Sequence, residues 1–285
     1  MTKPHPDLLF YQISADDWLS TESALSAPSL TQRLNWLSEL GIANLLLIPP
    51  RKPNKNFEQW IAFLQSKDFE LYKPLAETDY ESFLGSESQA EILLAPHSES
   101  PTLQAADPLH LQIFPNLLAT ALETGDASLL EVFFESDLPN LHPVPLLPPS
   151  SSHADQKRTA LLQSLALSLP GFVLFNDQPE YPLPLAPALE KAFHRVKTMI
   201  QIRSHLGCQA QSSCQWINST TPSVAAILKE GKESKLLVLH NFSANEVDLN
   251  LWRTGIAREM LSGKLVDLAG LDRLLGYQVM WLELE

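Results

Sequence analysis

Two kinds of apolar run alternate along the first two thirds of this chain. Leu8–Ile13 is short and apolar at most positions, which predicts a strand. Leu30, Leu34, Leu37 and Leu40 recur at the spacing of one helix face between a capping box, Ser29 with Gln32, and Gly41, which predicts an amphipathic helix. Ala43–Ile48 is apolar apart from Asn44 and stops at Pro49 and Pro50, as a strand buried on both faces of a parallel sheet does. The alternation continues with a helix over Phe57–Gln65, a weak strand at Phe69–Tyr72, a short helix at Tyr80–Leu84 and a strand at Ala90–Ala95. A helix over Pro115–Glu123, a strand at Leu129–Phe134 and a helix over Gln156–Leu167 come next. A strand at Phe172–Phe175 and a long helix over Pro187–His205 close the series.

Six strand–helix pairs in this order predict an α/β architecture of parallel strands, a (β/α) barrel short of the usual eight units. After Gly207 the texture changes. Cys214–Ser219, Val224–Lys229, Lys235–Phe242, Glu246–Leu251, Arg258–Leu261 and Gln278–Leu284 read as short strands set off by Gly, Asn and Ser, an all-β sandwich. Two domains are expected, 1–206 and 207–285, packed through the long helix before His205. The segment 139–152 is rich in proline and serine and reads as a stiff surface loop.

Composition narrows the function. The net charge of −13 and the lack of a basic run argue against nucleic acid as a partner. No apolar run approaches the roughly 20 residues that span a bilayer, and Met1–Pro6 begins no secretory h-region, so a cytoplasmic protein without membrane partners is expected. Cys208 and Cys214 are too few for a disulfide framework or a thiolate metal site. The histidines show no zinc-binding spacing, and no phosphate loop is present, so neither a metal nor a cofactor is expected.

Several segments resemble the α-amylase-type glycoside hydrolases. Leu8-Leu-Phe-Tyr-Gln-Ile13 is similar to their first barrel strand. Leu37-Ser-Glu-Leu-Gly-Ile-Ala-Asn-Leu-Leu-Leu-Ile-Pro-Pro50 resembles their second unit, and Leu169-Pro-Gly-Phe-Val-Leu-Phe175 their eighth strand. Leu237-Val-Leu-His-Asn-Phe-Ser243, Val247-Asp-Leu249 and Val279-Met-Trp-Leu-Glu-Leu284 resemble the β-sandwich that follows the barrel, with the trehalose synthase (maltose glucosylmutase) branch the most similar.

The resemblance implies chemistry by carboxylates across a glycosidic bond: a nucleophile, an acid of raised pKa, and a third group that orients the sugar. This chain departs from that set. The Asp-x-x-x-Asn-His and Gly-x-Arg-x-Asp motifs are absent. The strand that presents the acid as LLAE in the family reads Ile92-Leu-Leu-Ala-Pro96-His97 here, and proline cannot donate a proton. The third motif is matched only by Glu135-Ser136-Asp137, which keeps its last carboxylate. Asp68-Phe-Glu-Leu-Tyr72 resembles the family's DxxDY, so Asp68 and Tyr72 are carried over as ligand-binding candidates, together with His97 and Asp137.

Glu135 and Asp137, at i and i+2, share a face if both lie in a strand, where they form a like-charged pair; the competing reading is a solvated strand end. His97 and Glu99 follow the end of a strand, where α/β sites gather, although a plain loop accounts for them too. The reading is a shortened, degenerate amylase-type protein without turnover, with a binding or regulatory role toward an α-glucan or oligosaccharide. Two alternatives stay open: an active glycosidase or glucosyltransferase using Glu99, Glu135 and Asp137, and a structural subunit of a glucan-metabolising complex. A barrel that has lost two strands either re-closes or exposes an edge. Phe69–Tyr72, flanked by Lys67 and Lys73 and followed by Pro74, is the expected edge, covered by segment 139–152, a protein partner or a second copy of the chain.

Overall fold

The computed structural model describes residues 9–16, 28–50, 56–74, 90–96, 109–113, 117–135, 140–148, 152–169, 171–176, 187–205, 213–231, 235–250 and 254–284. The helix expected at Tyr80–Leu84 lies outside them. Seven strands form the first sheet: β1 (Leu9–Ser14), β2 (Asn44–Ile48), β3 (Glu70–Pro74), β4 (Ala90–Pro96), β5 (Leu109–Ile113), β6 (Asn140–Pro145) and β7 (Phe172–Asn176). They close into a barrel, because β1 pairs with β7 as well as with β2. The expected open edge is therefore corrected: β3 hydrogen-bonds β2 on one side and β4 on the other.

The expectation of parallel strands is corrected in one place. β4 runs antiparallel to both β3 and β5, while the remaining pairs are parallel. Two further readings change. Leu129–Phe134 is helical, in a 3-10 turn over Ala127–Glu131 and a short helix, Val132–Glu135, because the Asp126 side chain accepts from the Ser128 amide and starts a helical turn. Segment 139–152, read as a loop, contains β6.

Around the barrel stand α1 (Pro28–Glu39), α2 (Phe57–Gln65), α3 (Leu117–Thr124), α4 (Val132–Glu135), α5 (His153–Ser168) and α6 (Pro187–His205). α1 begins on Pro28, which places Ser29 in its first turn instead of at its cap. It ends as the sequence predicts: Gly41 takes φ +75°, and Ile42 N–H reaches back to the Leu37 carbonyl at 2.9 Å. Leu34, Leu37, Trp60, Leu161, Leu165, Phe193 and Val196 bury the helix faces against Leu9, Tyr11, Ile13, Leu45, Leu47, Val173 and Phe175 of the strands.

Arg203 is buried in α6, and its guanidinium donates to the carbonyls of Leu167 and Gly171 at 2.7 and 2.8 Å, tying α6 to the α5–β7 connection. Gly171 sits at φ +116° against β6, where a Cβ would collide with the Asn140 carbonyl; only glycine fits.

The remaining strands, β8 (Ser213–Ile217), β9 (Val224–Glu230), β10 (Lys235–Asn241), β12 (Ile256–Glu259), β13 (Lys264–Asp267) and β15 (Val279–Leu284), form an antiparallel sheet in the order β13-β12-β15-β10-β9-β8. β11 (Val247–Asp248) pairs with β14 (Arg273–Leu274). Leu236, Val238 and Trp281 face the barrel core, and Leu237, Leu239 and Leu282 face a second core with Leu249 and Leu274, which is why these strands are apolar at nearly every position. Hydrogen bonds cross the junction from α5 and from the 3-10 turn before α4: Trp281 Nε1 donates to Ser164 Oγ, Cys214 Sγ contacts the Ser168 carbonyl, and the Ala127 N–H donates to the Pro222 carbonyl. Phe193, Met199, Ile200 and Ile202 of the long α6 belong to the same buried cluster as Leu236, Val238 and Trp281 of the sheet. Among the described residues no helix is long and apolar enough to cross a membrane.

Candidate functional site

Strand alternation divides the barrel residues into an outer face under the helices and an inner face. Inward point Phe10, Gln12 and Ser14 of β1, with Asn44, Leu46 and Ile48 of β2 beside them in register. Phe172, Leu174 and Asn176 of β7 face Leu141, Pro143 and Pro145 of β6. Phe10 packs edge-on to Tyr72 at 5.2 Å and to Phe172 at 6.4 Å, closing the middle of the barrel. Burial grades along this interior. Phe10, Leu46 and Leu174 are fully buried, whereas Gln12, Ser14, Ile48, Pro143, Pro145 and Asn176, one step further toward the C-terminal ends of the parallel strands, are only partly buried. Among the described residues the barrel interior is thus packed below and less buried toward its mouth, the end where sites of such barrels form.

Two side-chain atoms at that mouth lack partners. Gln12 Oε1 and Asn176 Oδ1 are buried, and neither accepts a hydrogen bond. The amide nitrogen of Gln163, on α5, by contrast uses both of its N–H groups, donating to the carbonyls of Pro145 and Leu146 at 2.9 and 2.7 Å.

The residues singled out in the sequence fall elsewhere. Asp68 is exposed in the turn before β3, at the N-terminal end of the barrel, with φ +63°. Tyr72 is buried inside the barrel, and its hydroxyl donates to Glu70 Oε2 at 3.2 Å, again toward the N-terminal end. Burial, with the Glu70 carboxylate second, pushes its phenol pKa upward. Neither side chain is presented to the mouth.

His97 and Glu99 lie outside the described residues, but the strand before them does not. Because β4 is reversed, its Pro96 end pairs with Tyr72 and its Ala90 end with Ile113, so the chain leaves β4 toward the N-terminal end of the barrel. The argument that His97 and Glu99 follow a strand toward the site face is corrected by this direction. Glu135 closes the short helix α4 and is not in a strand, so the shared strand face proposed for Glu135 and Asp137 does not exist. Asp137 also lies outside the described residues. Among the described residues no three His, Cys, Asp or Glu side chains are placed to hold a metal ion.

One buried polar cluster escaped the sequence reading. Trp281 Nε1 donates to Ser164 Oγ at 2.6 Å, and the same oxygen lies 3.0 Å from His240 Nε2, with His240 Nδ1 unpartnered. A serine beside a histidine has the outline of a nucleophile and base, but all three side chains are fully buried at the junction of α5 with the second sheet. No substrate reaches them, and they act as a polar lock between barrel and sheet. Burial drives the His240 pKa down to about 3, a hydrogen bond to Ser164 opposing it in part.

Comparison with solved structures follows from this geometry. A noncanonic maltogenic alpha-amylase, AmyB of Thermotoga neapolitana, superposes with a TM-score of 0.64 over 98% of this chain and 98% of its own at 10% identity. The fold is that of the α-amylases. AmyP in complex with maltose gives a TM-score of 0.64 at 9% identity over 97% of this chain and 96% of its own, and an alpha-amylase from Lactobacillus plantarum 0.59 at 10% identity over 98% and 99%. No family model matches the chain, and no curated protein matches its sequence. At this identity the likeness establishes the amylase-type fold and leaves the chemistry to the residues of this chain. Of those at the mouth, Gln12 carried a sequence signal, as the one polar position in an apolar strand, and Asn176 carried none beyond ending a strand.

Proposed function

We propose that this chain is an oligosaccharide-binding protein on an amylase-type fold, without glycosidase or transglycosylase activity, and that it serves α-glucan or α-glucoside metabolism by binding or regulation in the cytoplasm. The observation that carries the reading is the direction of β4. An acid at the end of the Ile92–Pro96 strand would have to sit at the C-terminal mouth. The reversed strand takes Pro96 to the opposite end, and proline carries no proton there in any case. Loss of one member of a set that acts as a unit removes most of the rate, and the sequence lacks two further motifs. Two features support binding: the unpartnered amide oxygens of Gln12 and Asn176 toward the C-terminal end of the barrel interior, and the maltose complex of AmyP on the same fold.

The likeness of the closing strands to the maltose glucosylmutase branch makes maltose and trehalose the first ligands to try. Titration calorimetry of the purified chain with maltose, trehalose, sucrose and maltotriose tests this. The expected result is saturable heat with at least one sugar and no product in the cell afterwards. Failure to bind any of them would overturn the reading.

A further inference from the structure

We propose that two copies of this chain pair through the outer edge of β13, on a two-fold axis at Leu265, so that their two six-stranded sheets become one. The pairing is independent of any sugar site.

β13 ends the sheet: β12 pairs with one side of it, and among the described residues no strand pairs with the other. The turn that presents it is held from within. The Glu259 carboxylate accepts from the backbone amides of Leu261 and Ser262, and Gly263, at φ +72°, donates its N–H to the Glu259 carbonyl. Among the described residues three large hydrophobic side chains are exposed, and two of them, Leu265 at 71% and Ile256 at 51%, are in this hairpin. Leu265 stands opposite Arg258 and Ile256 opposite Asp267, which puts both on one face, while Ala257 and Val266 turn the other way into the second core. An edge with an apolar centre and free backbone groups is a template for another strand.

The hydrogen-bond phase and the charges of β13 fit that strand to a second copy of itself. Leu268 N–H donates to the Gly255 carbonyl at 2.9 Å, which marks this step as a hydrogen-bonded pair of the β12–β13 ladder. Counting back by two, Val266 and Lys264 direct their backbone groups to β12, and Leu265 and Asp267 direct theirs to the free side. A two-fold axis at Leu265 therefore lets each Leu265 exchange N–H and carbonyl with its counterpart and brings the Asp267 N–H to the Gly263 carbonyl of the other copy. Charge selects the same register. Centred on Lys264 or on Asp267, the pairing sets like charges directly opposite; centred on Val266, it sets each Leu265 against an Asp267 carboxylate. Centred on Leu265, it sets leucine on leucine, Lys264 on Val266 and Asp267 on glycine. The symmetry makes the contact isologous and closed, and four residues a side make it a weak dimer.

Sedimentation equilibrium of the full chain from micromolar to millimolar concentration tests this, in salt of about 0.15 M, where repulsion between chains of net charge −13 is screened beyond about 8 Å. The unmodified chain is expected to show a reversible monomer–dimer equilibrium. Leu265→Lys and Leu265→Glu, at a position exposed in the single chain, each set like charges on the axis and are expected to raise the dimer Kd at least about tenfold. An equimolar mixture of the two variants sets opposite charges there and is expected to restore the Kd to within about threefold of the unmodified value. A chain that stays monomeric up to millimolar concentration would overturn the proposal and leave the edge to a different protein or to none. A dimer that both variants leave unchanged, or a mixture no tighter than either variant alone, would overturn it as well.

Discussion

Acid should unlock the barrel from its sheet through His240. The ring is fully buried, and its Nε2 is engaged with Ser164 Oγ, which already receives the Trp281 indole N–H. Burial holds its pKa near 3, against about 6.5 in the unfolded chain. A histidine whose folded pKa is depressed stays neutral in the native state while the unfolded state takes up a proton. Stability is therefore lost as pH falls below about 6.5, at about 1.4 kcal/mol per pH unit until the folded pKa is reached. Between pH 7.5 and 4.5 the loss from this group is roughly 3 kcal/mol, a large share of a typical domain's 5–15.

The assay is urea unfolding of the full chain and of His240→Gln across that range. Glutamine still offers a hydrogen bond to Ser164 and does not titrate. Carboxylates contribute equally to both proteins, so the difference between the two stability curves isolates the imidazole. That difference should change by roughly 3 kcal/mol in favour of the variant as pH falls. Parallel curves would refute the reasoning and mean that the ring is hydrated or protonated in the native state.

Three substitutions test other parts of the account. Ser164→Ala leaves the Trp281 indole N–H buried without its acceptor and should cost about 1–3 kcal/mol at neutral pH, read from the urea midpoint. Gly171→Ala drives a Cβ into the Asn140 carbonyl at a φ of +116°, and should lower the thermal midpoint of unfolding by at least the roughly 2 °C that about 1 kcal/mol produces in a chain of this size. Asp68→Gly relieves a left-handed residue and should raise stability by up to about 1 kcal/mol while leaving sugar affinity unchanged, since Asp68 is at the end of the barrel away from the mouth. A loss of affinity in that variant would mean that the binding end has been misplaced.

Much of the fold is legible in the chain because its signals are local. Ala43–Ile48 is apolar on both faces and is a doubly buried strand; the stripe from Leu30 to Leu40 ends at Gly41 as its backbone requires; the long helix begins on Pro187 and ends on His205 as read. What escaped is non-local. An apolar run such as Ile92–Ala95 carries no arrow, so the reversal of β4, which decides where Pro96 and His97 lead, could not be read from it. Pro143 and Pro145 disguised β6. Among the described residues pairing with β5 stops at Leu141, before either proline. Leu129–Phe134 fitted a strand by composition, but Leu130 and Phe133 are buried at a helical spacing, and short apolar runs do not separate the two. The positions of Asp68, Tyr72 and Glu135 were hidden for the same reason. Motif matches at Asp68, Tyr72, Glu135 and Asp137 were judged by residue type, whereas barrel chemistry depends on which end of which strand a side chain leaves from. Gln12 and Asn176 come to neighbouring strands only because β1 closes on β7.

The central claim is an amylase-type barrel that binds sugar and does not cut or transfer it. A time course of the purified chain with maltotriose, maltose and trehalose, followed by chromatography of released glucose and of any isomerised disaccharide, tests it most directly. Product should form no faster than in buffer at every protein concentration. Product that rises in proportion to the protein, persists across independent preparations and disappears in Asp137→Asn would contradict it.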